Sequence, residues 1–352
     1  MNLVTGASGL LGSHIVEQLR RRGRPVRVLL RRGAARGWLE TQGVEYAEGD
    51  LTDAASLATA CRGVGTVYHA AARVGDWGPW DDFVRVSIDG TRELIDAAAA
   101  AKVQRFVHVS SISAYGHVNG PGIVLDETAP LGQNVYRWSY YTRAKVEAER
   151  LVWDRHRRGA IPVSVIRPSW IYGPRDRTSI ARIINLIRTR KAKLLGDGEN
   201  RLNTVYAGNV AECCILAADS PRAVGQAYNA SHDGTITQRQ MYDLIARALG
   251  CPPVTKCVPY RAAYNVAFLL ECMGHLFRWK KPPMITRYSV WLMGRRSFFE
   301  AQKAREELGW RPSITYDVGV PMTVRWHLAK EGGAGVEADV QATANAPILA
   351  AG

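Results

Sequence analysis

The run Tyr141-Thr142-Arg143-Ala144-Lys145 places a phenol and an ammonium four residues apart, which on a helix is one turn and one face. A phenol with an ordinary pKa near ~10 is a poor proton donor or acceptor at neutral pH. A neighbouring ammonium favours the phenolate and lowers that value, which would tune Tyr141 for acid/base work. A third candidate side chain, Ser111, opens the same stretch, Ser110 to Lys145. The spacing alone also describes an ordinary surface pair, and what argues for chemistry is the company it keeps along the chain.

The elements that would position these groups read as alternating strands and helices. Asn2–Thr5 is a short apolar strand, followed by Gly6-Ala7-Ser8-Gly9-Leu10-Leu11-Gly12 and a helical run from Ser13 to Arg22. That order suits a dinucleotide: the glycines let the backbone approach a pyrophosphate and the helix N-terminus faces it. The spacing is G-x-x-G-x-x-G rather than G-x-G-x-x-G, and a plain strand-to-helix turn is the other reading. Pro25–Leu30 is a second strand ending in Arg31-Arg32. NAD sites carry an acidic residue here for the ribose 2′-hydroxyl, whereas an arginine meets the 2′-phosphate of NADP. Arg31, with Arg32 beside it, therefore argues for NADP(H) over NAD(H), unless both are surface arginines of an Arg-rich chain. After the strand Val44–Glu48, Asp50 is placed to meet the adenine amino group and Leu51 to cover the ring. Thr66–His69 closes on the small residues Ala70, Ala71 and Ala72, which let a flat cofactor lie close to the backbone. Trp80–Lys102 reads as one long helix, and Arg105–Val109 as the strand that delivers Ser110 and Ser111. Chemistry at strand ends in a strand–helix alternation predicts an α/β fold with a doubly wound parallel Rossmann sheet.

Beyond the Tyr141–Lys145 helix come a buried strand at Ile161–Ile166, helices at Ile180–Arg190 and Thr237–Leu249, a strand-to-helix junction at Thr204–Val210 and a strand at Ala227–Asn229. The expected division is a cofactor domain over 1–175, rejoined by 203–235, and a smaller, mostly helical substrate domain over 176–202 and 236–330. Residues 331–352, Ala/Gly-rich and without apolar period, read as a disordered tail. The apolar Ala262–Phe277 precedes the basic Arg278-Trp279-Lys280-Lys281, and Tyr288–Met293 is a second apolar piece. This region is read either as core or pocket wall, or as a peripheral contact with a membrane surface.

Lys plus Arg number 46 against 32 Asp plus Glu in 352 residues, an excess that attracts anions without choosing among nucleotide, membrane and nucleic acid. No zinc-finger spacing, RNP-like aromatic motif or long basic block argues for nucleic acid. The six cysteines, Cys61, Cys213, Cys214, Cys251, Cys257 and Cys272, form no C-x-x-C pair and no cluster with histidine, so no metal is expected. They read as reduced, mostly buried thiols of a cytoplasmic protein, and Cys213-Cys214 as packing residues. Met1 leads directly into a strand pattern, so no signal peptide is expected, and no run reaches the roughly 18–20 apolar residues of a spanning helix.

Six motifs in order resemble the extended short-chain dehydrogenase/reductase family: Thr5 to Gly12, Gly49-Asp50-Leu51, His69-Ala70-Ala71, Val109-Ser110-Ser111, Tyr141 to Lys145, and Arg167-Pro168 through Ile171-Tyr172-Gly173-Pro174. The resemblance spans about the first 330 residues. It implies that Tyr141 is the general acid/base, that Lys145 lowers its pKa and holds the nicotinamide ribose, and that Ser111 orients the substrate oxygen. It also implies that Gly6, Ser8, Gly9, Leu10, Leu11, Gly12, Ala70, Ala71, Ala72, Ser87, Val109, Ser110, Pro168, Ser169 and Ile171 line the cofactor, and that Trp77, Ser113, Tyr172 and Tyr206 face the substrate. One departure is Ser87-Ile88-Asp89-Gly90-Thr91, where the family has Asn-x-x-Gly-Thr; that hydrogen bond is either remade by Ser87 or lost.

The acidic pair that sugar-nucleotide dehydratases carry after the catalytic hydroxyl is replaced by Ile112 and Ser113, so dehydration is not expected. The C-terminal half resembles the branch of 3β-hydroxysteroid dehydrogenases, sterol-carboxylate dehydrogenases and 2-alkyl-3-oxoalkanoate reductases, in Gly75 to Trp80, Pro282 to Arg287, and Ser297-Phe298-Phe299 leading to Leu308-Gly309-Trp310-Arg311-Pro312. The implied activity is an NADP(H)-dependent oxidoreductase on a lipid-like ketone or alcohol. The alternatives are an NAD-dependent nucleotide-sugar epimerase and a non-enzymatic dinucleotide sensor, and analogy with similar folds adds a homodimer.

Overall fold

The computed structural model describes residues 1–331. Its central sheet has seven strands: β1 (Asn2–Thr5), β2 (Val26–Leu30), β3 (Glu45–Glu48), β4 (Thr66–His69), β5 (Arg105–Val109), β6 (Val163–Pro168) and β7 (Gln226–Ala230). The strand order is β7-β6-β5-β4-β1-β2-β3, with every neighbour parallel. The chain builds outward from β1 to β3 and then returns to lay β4 on the other side of β1. That reversal opens a crevice at the carboxyl ends of β1 and β4, the place where such a sheet takes its ligand.

The helices are α1 (Leu10–Arg21), α2 (Ala54–Cys61), α3 (Trp80–Phe83), α4 (Gly90–Ala100), α5 (Tyr140–Arg157), α6 (Ser179–Arg188), α7 (Ala207–Asp219), α8 (Gln238–Ala248), α9 (Tyr260–Leu276), α10 (Arg287–Gly294), α11 (Gln302–Glu307) and α12 (Tyr316–Glu331). The apolar stripe Leu11, Ile15 and Leu19 of α1 packs with Val210 and Cys214 of α7 on one face of the sheet. Leu57 of α2, Leu94, Ile95 and Ala98 of α4 and Val152 of α5 cover the other. Rossmann-type layering of this kind follows from strands apolar on both faces, which must be covered twice. A separate core joins α6, α8 and α12 through Ile184, Ile187, Met241, Ile245 and Val320.

The long helical stretch expected over Trp80–Lys102 runs helically from Trp80 to Ala100. Between α3 and α4 the chain makes a π-helical turn, Val84–Asp89. Widening there brings the Ser87 hydroxyl to accept from the Arg73 N–H at 2.9 Å, while Thr91 Oγ1 donates to the Ser87 carbonyl at 2.6 Å. Such turns concentrate where a helix serves a site.

In α9, Ala263, Ala267, Glu271 and Gly274 are buried, whereas Phe268, Leu269, Met273 and Leu276 are exposed, Leu276 to 75%. No helix among the described residues is long and apolar enough to cross a membrane. All six cysteines are free; Cys61, Cys213 and Cys214 are buried, but Cys257 is exposed and Cys251 and Cys272 are half-buried, so the expectation of burial holds for half of them. Of the expected tail, Glu331 closes α12 and the remainder lies outside the described residues.

Candidate functional site

Helix α5 turns Tyr141, Lys145 and Glu149 inward at intervals of four residues, and Arg143 and Arg150 outward. Glu149 fixes that rotation. Its carboxylate is fully buried and accepts from Arg167 Nη2 of β6 at 2.6 Å, from Ser110 Oγ at 2.5 Å and from Trp153 Nε1 at 3.1 Å. Arg167 also donates to the Tyr115 hydroxyl at 2.8 Å, which in turn donates to Asn229 Oδ1 at 2.8 Å. A buried pair is sustained only when its remaining lone pairs and protons are satisfied, as they are here. Glu149→Ala leaves the Arg167 guanidinium buried without its anion, and is expected to lower the unfolding free energy by about 3–5 kcal/mol in urea titrations.

Lys145 is buried and donates to the Val109 carbonyl at 2.9 Å. Burial draws its pKa down to about 8, and the Glu149 carboxylate opposes that fall. The Tyr141 phenol, half-buried, moves the other way from expectation: burial raises its pKa, and the opposing influence is the Ser111 hydroxyl rather than Lys145. The physical reason is that the ammonium is committed to the Val109 carbonyl instead of the phenol oxygen. Tyr141 is thus held as a protonated donor. Because Lys145 loses its charge as pH rises through about 8, kcat/KM should decline above that pH. Unfolded lysine keeps its proton to about 10.4, so between these values the unfolded chain binds more protons and this residue's contribution to stability rises with pH. A falling rate with no loss of thermal stability between pH 8 and 9.5 is the expected pattern; a flat rate profile to about pH 10 would contradict it.

The glycine turn meets the carboxyl ends of β1 and β4. Gly6 has φ +69°, and a Cβ there would stand 2.9 Å from the Ala71 nitrogen. A Cβ on Gly12 would overlap the Gly6 carbonyl. Gly9, the N-cap of α1, offers no side chain to the first-turn N–H groups, which leaves them for an anion. Ser8 and Gly9 are exposed, Leu10 is half-buried and Leu11 buried. These observations fit a dinucleotide pyrophosphate.

Arg31 and Arg32 are exposed beyond β2, and Arg32 donates to Glu48 at 2.5 Å. Burial raises the Asp50 pKa, but the Thr52 N–H and hydroxyl, at 2.9 and 2.8 Å, and nearby Arg31 carry it below the usual range. Leu51 is buried against Gly90. Ala70, Ala71 and Ala72 are half-buried, and Ser87 makes a hydrogen bond to the loop they begin. Val109, Ser110, Pro168 and Ser169 are buried and Ile171 half-buried; Ser169 Oγ donates to the Ser231 carbonyl at 2.5 Å.

The residues expected at the substrate divide. Ser113 Oγ lies 3.0 Å from the Tyr288 hydroxyl, and the Tyr288 ring stands edge-on to Tyr141 at 5.9 Å. Trp77 packs on His275 of α9 at 4.6 Å and donates to the Trp279 carbonyl at 2.9 Å. Tyr172 and Tyr206 are not at the cleft. Both are buried in the α6–α8–α12 core, where Tyr172 donates to Asp233 at 3.2 Å and the Tyr206 N–H donates to the same carboxylate at 2.7 Å. A polar groove of about 660 Å³ lined by Glu127, Arg157 and Lys303 contains none of Ser111, Tyr141 and Lys145.

Tyr288 is the ring that faces Tyr141, and sequence reasoning foresaw only part of the aromatic surface beyond it: Ala262–Phe277, read as core or pocket wall, supplies Tyr264 and Phe268, whereas His117, Tyr136 and Trp138 were missed. Tyr288 and Trp291 come from α10, His117 stacks on Tyr136 at 3.8 Å, Tyr264 meets Tyr136 at 6.1 Å, and Arg287, bound to Glu271 at 2.6 Å, lies over Tyr136, Trp138 and Phe268. The signals available in the sequence were two apolar pieces, Ala262–Phe277 and Tyr288–Met293.

A model of the NAD dependent epimerase/dehydratase family matches residues 2–231. A 2-alkyl-3-oxoalkanoate reductase of Shewanella oneidensis is 29% identical over 332 residues, covering 90% of this chain and 84% of that protein. A decarboxylating sterol-4-alpha-carboxylate 3-dehydrogenase of Mus musculus is 32% identical over 340 residues, covering 93% and 91%. Among solved structures, gox2253 superposes with a TM-score of 0.79 at 29% identity, covering 95% of this chain and 98% of that one.

Proposed function

The chain belongs to the NAD-dependent epimerase/dehydratase family and is an NAD(P)-dependent dehydrogenase/reductase, and from that premise we propose that it interconverts a ketone and a secondary alcohol on a lipid-like substrate, a 3β-hydroxysteroid or 3-oxoacid type, with NADP(H) preferred. What supports this reading is that Tyr141 has the Ser111 hydroxyl as its hydrogen-bonding neighbour, that Lys145 bonds Val109 at the carboxyl end of β5, the sheet edge the glycine turn also occupies, and that Tyr288 stands against Tyr141.

In this reading Gly6 to Gly12 hold the pyrophosphate, Arg31 the 2′-phosphate, and Asp50 and Leu51 the adenine; Arg32, engaged by Glu48, shapes the field there. The bound nicotinamide supplies or takes the hydride. Tyr141 gives its proton to the ketone oxygen as negative charge develops, and the Ser111 hydroxyl donates to the same atom. The Lys145 ammonium would hold the ribose hydroxyls. The aromatic wall excludes water and receives the hydrocarbon. The domain division at 175, 203 and 235 belongs to this proposal, as does contact of the exposed α9 face, flanked by Arg278, Lys280 and Lys281, with a lipid surface where such substrates gather.

Absorbance of NADPH with panels of long-chain 3-oxo acids and 3-ketosteroids tests the reading. NADPH should be used in preference to NADH, and Arg31→Asp should reverse that preference. Equal use of both cofactors removes the NADP assignment. Tightly bound NAD accompanying turnover of a nucleotide sugar, with no ketone reduced, replaces the reading with an epimerase.

A further inference from the structure

Arg295, the residue that ends α10, is 1% exposed. Its Nε, Nη1 and Nη2 have no hydrogen-bond partner among the described residues. The other buried arginine among the described residues, Arg167, is paired with Glu149. Around Arg295 stand Trp291, whose ring centre is 4.4 Å from the guanidinium carbon, and Phe299 at 5.1 Å. Tyr288 and Tyr260 lie within electrostatic range, as does His117, which burial and the nearby Arg287 and Arg295 keep neutral. None of these neighbours is an anion. Ring faces return part of what a buried cation loses with its hydration, but they leave five planar donors without an acceptor. Burial lowers the guanidinium pKa only to about 10, so the charge persists at neutral pH.

The location says where an anion would come from. Trp291 packs 5.9 Å from Tyr288, and Tyr288 in turn stands 5.9 Å from Tyr141 and reaches Ser113. The unanswered cation therefore adjoins the wall over the reacting tyrosine. A carboxylate matches a guanidinium fork through two parallel hydrogen bonds. We propose that Arg295 receives the carboxylate of the substrate, so that the ketone presented to Tyr141 is an oxo acid rather than a neutral sterol. This rests on the ketone–alcohol reading above and narrows it: the acid group anchors at α10 while the alkyl chains lie along Tyr264, Trp138 and Phe268.

The test uses the full chain with NADPH, a long-chain 2-alkyl-3-oxo acid and its methyl ester. Wild type should favour the acid by about a hundredfold or more in kcat/KM, because a desolvated charge pair is lost with the ester. In Arg295→Met the acid-to-ester ratio should fall close to one, and Arg295→Lys should restore part of it. In parallel, calorimetry follows a non-reacting 2-alkyl carboxylate, which should bind wild type and not Arg295→Met. An acid-to-ester ratio near one in wild type overturns the proposal. So does an equal loss on both substrates in a folded Arg295→Met protein, which would make Arg295 a structural cation on Trp291. Should Arg295→Met fail to fold, the wild-type ratio and Arg295→Lys decide. If neither ketone is reduced yet carboxylate binding still depends on Arg295, the carboxylate site stands and the ketone reading falls; no binding and no turnover overturn both.

Discussion

Tyr141→Phe should lower kcat/KM for ketone reduction by about a thousandfold, within the 10²–10⁴ range that a positioned general acid contributes. The substitution removes one oxygen and keeps the ring. The edge-on packing against Tyr288 at 5.9 Å and the Lys145 bond to Val109 at 2.9 Å both survive, so NADPH affinity should change by less than about threefold. Burial makes the outcome directional: the phenol is kept protonated, a donor waiting for developing charge on the substrate oxygen, and phenylalanine offers none. Steady-state rates with fluorescence titration of NADPH check both halves. A loss smaller than about tenfold would move the acid elsewhere in the cleft.

Gly12→Ala is expected to damage cofactor binding and folding together. The added methyl would overlap the Gly6 carbonyl and approach the Ala7 nitrogen to 2.9 Å. Gly6 cannot retreat, because its own φ of +69° and the Ala71 nitrogen leave it no room. The turn must open or α1 must lift from the sheet, and α1 carries Leu11, Ile15 and Leu19 into the core. We expect NADPH affinity to fall by at least about a hundredfold and stability by about 1–3 kcal/mol, the usual cost of forcing a methyl group into a packed site. Fluorescence titration and urea unfolding measure the two. Native affinity in Gly12→Ala would place the pyrophosphate away from this turn.

The parts of the fold that were legible in sequence are those set by short-range physics. β1, the glycine turn and α1 declare themselves through an apolar run, three glycines and a helical period, and the Tyr141–Lys145 column through its spacing together with the motifs around it. The sixth strand was read two residues early, because Ile161 is apolar and buried although the ladder begins at Val163. The π-turn at Val84–Asp89 was hidden, since its cause is a hydroxyl meeting a loop fourteen residues away. Tyr172 and Tyr206 misled for a related reason: their side chains answer to Asp233, a long-range partner that no local pattern announces. The same holds for Lys145, whose position on the helix was readable but whose hydrogen bond to Val109 was not. Arg295 was not singled out in the sequence, and only packing reveals that its guanidinium has no hydrogen-bond partner among the described residues.

The Glu149 anchor has a consequence for how this helix can vary over evolutionary time. Positions that point to water, such as Arg143 and Arg150, are free to wander without disturbing the reacting groups. The inward column is anchored by one carboxylate to Arg167 of β6 and to Ser110 just past β5, so drift along α5 should leave a periodic signature of tolerated and forbidden sites. A lineage that abandoned the chemistry but kept the fold would be free to lose Tyr141 first and Glu149 last.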